Sequence, residues 1–238
     1  MYEGFAEVYD RLTRDIEYGK WADYLESAFL NFGDKPRLVL ELACGTGSLA
    51  IEMAKRGYDM IGLDISCDML SIAKEKSLSR GLDILFINQD MRSFELYGTV
   101  DAVICMLDSM NYITDRTDLE RVFGLVRMYL NPGGLFIFDI NSEYKLSGIL
   151  GQNTFYELDD DISWIWHNTY DPSRRLSTFE LTFFRKTGNG LYARFDETHI
   201  ERAWSDEEIA DALEKASMEL LGRFGNLSFS PPSPEEER

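Results

Sequence analysis

The sequence predicts a doubly wound α/β fold: a mostly parallel sheet with helices on both faces, interrupted late in the chain by an inserted antiparallel β unit. Three observations carry this expectation. Short, nearly continuous apolar runs alternate with amphipathic helical stretches across residues 37–140, the pattern of strands covered on both faces. The first of these runs, "LVLELACGTGSLA" at residues 38–50, passes straight into a glycine-rich turn that opens a helix. From about Glu143 to Trp204 the apolar period changes to two, which is strand periodicity.

The elements follow in order. "EGFAEVYDRL" and "WADYLESAFLNF" carry apolar residues at helical spacing and stop near Gly33 and Pro36. Strands are expected at 37–43, 59–64, 84–88, 101–106 and 135–140, with helices at 48–56, 68–80 and 115–130, the last stopped by "NPGG". Right-handed crossovers make such a sheet doubly wound and place ligands at the carboxyl ends of its strands. The inserted segment, residues 143–204, reads as about three antiparallel strands: "DISWIWHNTYD", "RLSTFELTFFRK" and "LYARFDETHIERAW". Asp171-Pro172-Ser173-Arg174 supplies type I turn chemistry, and "TGNG" at 187–190 closes a second hairpin. An excursion of that length inside a compact fold usually carries function, often as a lid. The expected division is therefore a core of residues 1–142 and 205–238 with a lid of 143–204. "SDEE" starts a helix as a capping box, Ser205 to Glu208, and "SMELLGRFGNLSF" reads as a last strand.

Composition narrows the class. A chain of 238 residues with 45% hydrophobic content suits one large globular domain with a real core. No apolar run approaches the roughly 18 residues of a membrane span, and "MYEGFAEVYD" lacks the layout of a signal peptide. Cys44, Cys67 and Cys105 show no C-x-x-C spacing and read as reduced thiols, so a cytoplasmic location and no metal centre are expected. The net charge of −18, from 42 acids against 24 bases with no basic cluster, disfavours a nucleic-acid partner. A small-molecule partner is expected, for a monomer or weak dimer.

The glycine turn fits two ligands on spacing alone. Gly45-x-Gly47-x-x-Ala50 matches the dinucleotide fingerprint, which would place a pyrophosphate on the helix N-terminus. Glu41 ends the strand beneath that spot, and its carboxylate would repel two phosphates. It suits a ligand with a cationic head and no phosphate, and S-adenosylmethionine (SAM) is such a molecule. Gly45 and Gly47 let the backbone approach without a Cβ in the way. Asp64, at the end of the next strand, can grip both ribose hydroxyls, as an acid does in NAD sites too. At the third strand end, "NQDM", Asp90 can accept from an adenine amine while Met91 or Ile65 packs the ring. At the fourth, "CMLDSMNYI" turns Asp108, Ser109, Asn111 and Tyr112 toward the cleft.

Together "ELACGTGSLA", "GLDIS", "NQDMRSF" and "LNPGGLFIFDI" resemble the ordered motifs of class I SAM-dependent methyltransferases. "FAEVYDRL" and "CMLDSMNYI" look like a small bacterial subgroup of that family. The resemblance covers about residues 1–142 and 205–229. It implies a Rossmann-like core in which Glu41, Gly45, Asp64, Asp90 and Leu107 line SAM, with Tyr9 closing over its amino-acid end. Ala43, Gly47, Ile65, Met69, Gln89 and Met91 complete the expected cofactor site, whose product would be S-adenosylhomocysteine (SAH). The inserted sheet varies within this family, so no acceptor carries over. One departure stands out: the family pairs a seventh strand beside the sixth, whereas this chain ends "PPSPEEER", unsuited to an interior strand. Either the chain is a fragment or the sheet leaves an edge.

For catalysis, His199 in "DETHIERAW" lies near the return to the core and could act as general base, with Asp108 and Tyr112 as rivals. The expected activity is methyl transfer to a small-molecule N or O acceptor. An NAD-dependent oxidoreductase would leave Glu41 and Asp90 unexplained. A non-catalytic SAM-binding regulator would keep every cofactor residue. The plainer roles, turn acids for Asp64 and Asp90 and core packing for Tyr9, Trp21, Trp164 and Trp166, stand beside these.

Overall fold

The computed structural model describes residues 5–238. Helices α1 (Phe5–Leu12) and α2 (Tyr18–Phe32) lead into β1 (Leu38–Leu42), α3 (Ser48–Lys55), β2 (Asp59–Asp64), α4 (Cys67–Ser79), β3 (Leu85–Asn88) and β4 (Val100–Cys105). A 3₁₀ turn (Ser109–Tyr112), α5 (Arg116–Tyr129) and β5 (Leu130–Phe138) follow. All five strands are parallel, in the order β3-β2-β1-β4-β5. The chain therefore starts at the middle, winds outward through β3 and returns to the far side of β1. That reversal opens a crevice at the carboxyl ends of β1 and β4.

Helices cover both faces, as the apolar runs require. Leu25 and Phe29 of α2 and Leu49 and Met53 of α3 pack on Val39, Ala102 and Ile104. On the other face Leu119, Val122 and Phe123 of α5 meet Leu40, Leu42 and Val103, joined by Ile209 and Leu213 of α6 (Asp206–Lys215). Burying a phenylalanine such as Phe29 or Phe123 contributes about 2–3 kcal/mol. This packing, rather than helix propensity, holds α3, which is too short to persist alone. Caps fix the helix starts: Ser66 accepts the Met69 amide, Asp115 accepts the Thr117 amide, and Ser205 and Glu208 form the expected capping box.

Residues 143–204 hold more elements than their periodicity suggests. They open with a π-helical segment (Tyr144–Leu150) and contain four strands rather than about three: β6 (Thr154–Glu157), β7 (Ile162–Asp171), β8 (Leu176–Lys186) and β9 (Tyr192–Arg202), all antiparallel in that order. The β7–β8 turn is closed by Asp171 accepting the Ser173 amide at 2.9 Å, and Asn189 takes a left-handed φ of 67° in the β8–β9 turn. Helix α1 is wedged between this sheet and α4, with Phe5 and Val8 against Met69 on one side and Ile162 and Phe183 on the other.

Helix α5 stops at Tyr129, directly before "NPGG", as expected. Strand β5 starts earlier than expected, at Leu130, and the extra residues bulge opposite β4 between Val100 and Ala102. The expected last strand does not form. Residues 217–229 form no strand, so among the described residues nothing pairs outside β5. Left-handed φ angles at Ser217 (56°) and Leu227 (49°) break any extended run there. Its two phenylalanines pack on α2 instead: Phe229 stacks on Tyr24 at 4.9 Å and Phe224 lies 5.6 Å from Phe32.

Candidate active site

The glycine turn lies between β1 and α3, at the crevice. Ala43, Gly45 and Gly47 all take left-handed φ angles of 52°, 53° and 71°. At Gly45 an added Cβ would meet Tyr9 Cε1 at 3.9 Å, so Tyr9 of α1 stands directly over the turn. Gly47 has a different reason to be glycine: its Cβ would come within 3.0 Å of Ala73 and Phe86, so helix packing requires it. At the end of β4, Leu107 and Asp108 are again left-handed, at 60° and 57°. Such backbone at two strand ends facing one crevice marks a functional site.

Glu41 is 5% exposed, and its Oε2 is buried without a hydrogen-bond partner. Burial pushes its carboxyl up to about 8, against a hydrogen bond from the Ala50 amide and with Asp64 adding to the rise. An orphaned carboxyl oxygen beside the turn fits an ammonium, whose charge would draw the group into its ionised form. Asp64 accepts the Gly45 amide through Oδ2 and the Ser66 amide through Oδ1, both at 2.8 Å, and burial raises its carboxyl too. Each oxygen retains a lone pair for a ribose hydroxyl.

The remaining cofactor candidates divide. Ile65 is exposed at the lip, while Leu107 and Met91 pack against the two sides of the core. Met69 is buried under α1 rather than open to the crevice. Gln89 closes its own loop, accepting the Glu95 amide at 2.7 Å, and Asp90 is gripped by Arg92, which holds its carboxyl below the usual range. Those two side chains are engaged locally, and an adenine amine would compete with Arg92 for Asp90.

Tyr9 has its hydroxyl pushed up by burial, then by Tyr18, Asp108, Asp64 and Asp10, so these groups surround it. The three candidate bases converge on the far wall. His199 of β9 is 8% exposed, with its ring 5.7 Å from Tyr112 and 5.5 Å from Phe5. Burial lowers the His199 pKa, keeping the imidazole neutral near pH 7. Asp108 accepts from Asn141 Nδ2 at 3.0 Å and from Arg238 at 2.9 Å.

The sequence reading missed the joint behind this wall. Asn141 Nδ2 also donates to Glu201 at 2.9 Å, tying the end of β9 to the core. Glu201 is 1% exposed, and burial followed by the charge of Asp108 pushes its carboxyl well up. Asn111 donates to the carbonyls of Asn141 and Arg202 and accepts the Asn141 amide at 2.8 Å. The period-two alternation of "ETHIE" places Glu197, His199 and Glu201 on one face, a signal that could have found Glu201 beside His199.

A doubly wound sheet with acids at successive strand ends around a glycine turn defines a nucleoside-cofactor enzyme core, here one suited to a cationic, phosphate-free ligand. Comparison with known proteins agrees. A methyltransferase domain model matches residues 39–134. A putative methyltransferase of Bacillus subtilis, YqeM, is 35% identical over 239 residues, covering 100% of this chain and 94% of that protein. A crystal structure of a SAM-dependent methyltransferase from Clostridium acetobutylicum superimposes with a TM-score of 0.89 at 36% identity, covering 99% of this chain and 95% of the other. Over 58% of this chain and 54% of its own length, a dTDP-3-amino-3,6-dideoxy-α-D-glucopyranose N,N-dimethyltransferase of Streptomyces fradiae is 29% identical. The chain belongs to the class I SAM-dependent methyltransferases, and SAM is its cofactor.

Proposed function

We propose that the protein transfers the methyl group of SAM to a nitrogen or oxygen of a small-molecule acceptor. On this reading residues 143–204 are the lid and acceptor unit over a core of residues 1–142 and 205–238. The observation that carries it is the burial of His199, from the second sheet, against Tyr112 at the exit of β4. A residue of the insertion and a residue of the cofactor sheet thus form one wall of one crevice.

SAM supplies an electrophilic methyl on a sulfonium. The chain's task is to align the acceptor with that carbon, exclude water and accept a proton where the acceptor must lose one. Glu41 would hold the ammonium of the cofactor, Asp64 the ribose, and Tyr9 would close the amino-acid end. His199 is the favoured base: its imidazole is neutral and faces the wall that the acceptor would share with Tyr112 and Asp108. An acceptor amine already neutral would need orientation alone. A small acceptor is supported by the charge of −18, which disfavours nucleic acid, and by the amino-sugar acceptor named for the Streptomyces fradiae relative.

The test is transfer of label from methyl-labelled SAM in a cell extract, separated by size. Label in a low-mass fraction, lost with His199→Gln, supports the reading. Label confined to protein or nucleic acid contradicts it, and SAH binding without any turnover favours a regulatory protein.

A further inference from the structure

Helix α1 carries Tyr9 over the glycine turn, yet its eight described residues are too few to hold themselves in place. Its position is decided by what grips it. On the side of the second sheet the grip is broad. Phe5 and Val8 pack on Ile162 and Phe183, Glu7 pairs with Arg185, and Arg11 pairs with Asp159 and, at 3.3 Å, with Asp161. Just beyond the helix Arg14 reaches Glu157 at 3.1 Å. Each exposed pair is weak, but together with the apolar contact they join α1 to the sheet.

On the side of the core the polar grip is concentrated at Lys76, in the last turn of α4. Its ammonium donates to Asp10 Oδ2 at 2.6 Å, to Ser48 Oγ at 2.8 Å and to Thr46 Oγ1 at 3.1 Å. Thr46, itself 1% exposed within the glycine turn, donates onward to Asp10 Oδ1 at 2.5 Å. All three ammonium hydrogens are thereby taken up, by α1, by the turn and by the start of α3. The residue before Asp10 is Tyr9, which faces the crevice. One half-buried cation therefore fixes the helix that closes the crevice to the turn that forms its floor.

We infer that Lys76 is a positioning residue: a latch that holds α1 shut over the cofactor and sets the rate at which SAH leaves. Opening separates Asp10 from Lys76 and Thr46 and lifts Phe5 and Val8 from Met69, while the ion pairs to Arg185, Asp159 and Asp161 keep α1 with the second sheet. The inference rests on the placement of SAM at the glycine turn.

Stopped-flow displacement of bound SAH tests it. Lys76→Met, which keeps the aliphatic stem, should release SAH at least about tenfold faster, equivalent to about 1.4 kcal/mol. Asp10→Asn should do the same, and the double variant should be no faster than the quicker single one, because both remove one contact. Lys76→Arg, which restores a cation, should stay within about threefold of the unmodified protein. Lys76→Met and Asp10→Asn proteins that melt earlier but release SAH at the unmodified rate would show a merely structural lysine and overturn the latch. Should Lys76→Met fail to fold, the isosteric Asp10→Asn decides on the same criterion. Failure of the unmodified protein to bind SAH at all overturns the cofactor placement and the latch together.

Discussion

Asp64, at the end of β2, accepts the amide of Gly45, in the turn after β1, at 2.8 Å. The residue expected to grip the ribose thus also holds the glycine loop in shape. Removing it should act twice. Losing acceptors for two backbone amides costs about 2 kcal/mol of stability, and losing the ribose grip weakens SAM at least about tenfold. Urea titration and calorimetry of Asp64→Ala separate the two. A folded variant with lowered stability and unchanged SAH affinity would reduce Asp64 to a turn acid.

Asn111 joins the exit of β4 to the ends of β5 and β9 through three hydrogen bonds of 2.8–3.0 Å. Asn111→Ala leaves three buried backbone groups without partners. At about 1 kcal/mol for each bond, the loss should be about 3 kcal/mol, read as a lower midpoint in urea denaturation. A loss below about 1 kcal/mol would mean that water replaces the side chain at this joint.

His199 predicts two pH effects. Its folded pKa lies below the ordinary 6.5, through burial. The stability it contributes is therefore present above pH 6.5 and lost as pH falls through the folded value. As a base it should keep turnover flat above pH 6.5, with a fall only below. His199→Gln should remove that acid loss of stability and lower turnover at least about 100-fold. It should leave SAH affinity unchanged within about twofold, as expected when an interaction is confined to the chemical step. An unaltered rate moves the base to Asp108 or Tyr112, or dispenses with one.

Much of the core was readable because its signals are local. A glycine turn after an apolar run, with an acid ending each successive strand, is short-range chemistry, and the crossover rule then fixes topology. What escaped was set by long-range contact. Thr154–Glu157 is only four residues and becomes a strand because β7 runs beside it. "SMELLGRFGNLSF" alternates well enough to be mistaken for a strand, yet its aromatic residues are used on α2. Asp10 and Thr46 stand in separate motifs and Lys76 in none, so only the folded chain brings the three together. Gln89 and Asp90 have suitable side chains at a suitable strand end, but Glu95 and Arg92 engage them first.

The central claim is that Glu41 receives the ammonium of SAM, and proton-linked calorimetry of SAH binding tests it most directly. With its carboxyl pushed up to about 8, Glu41 is largely protonated at pH 7 in the free protein, whereas an ammonium partner favours the ionised form. In the free protein the sign runs with acid: Glu41 favours the folded state below its unfolded value of 4.5, and that advantage is lost as pH rises toward 8. Titrations at pH 7 in two buffers of different ionisation enthalpy should show about one proton released per SAH bound. NADH should give no binding heat. Glu41→Gln should bind SAH at least about tenfold more weakly and release no proton. Equal affinity in both proteins with no proton released from either, or binding of NADH in place of SAH, would contradict the assignment.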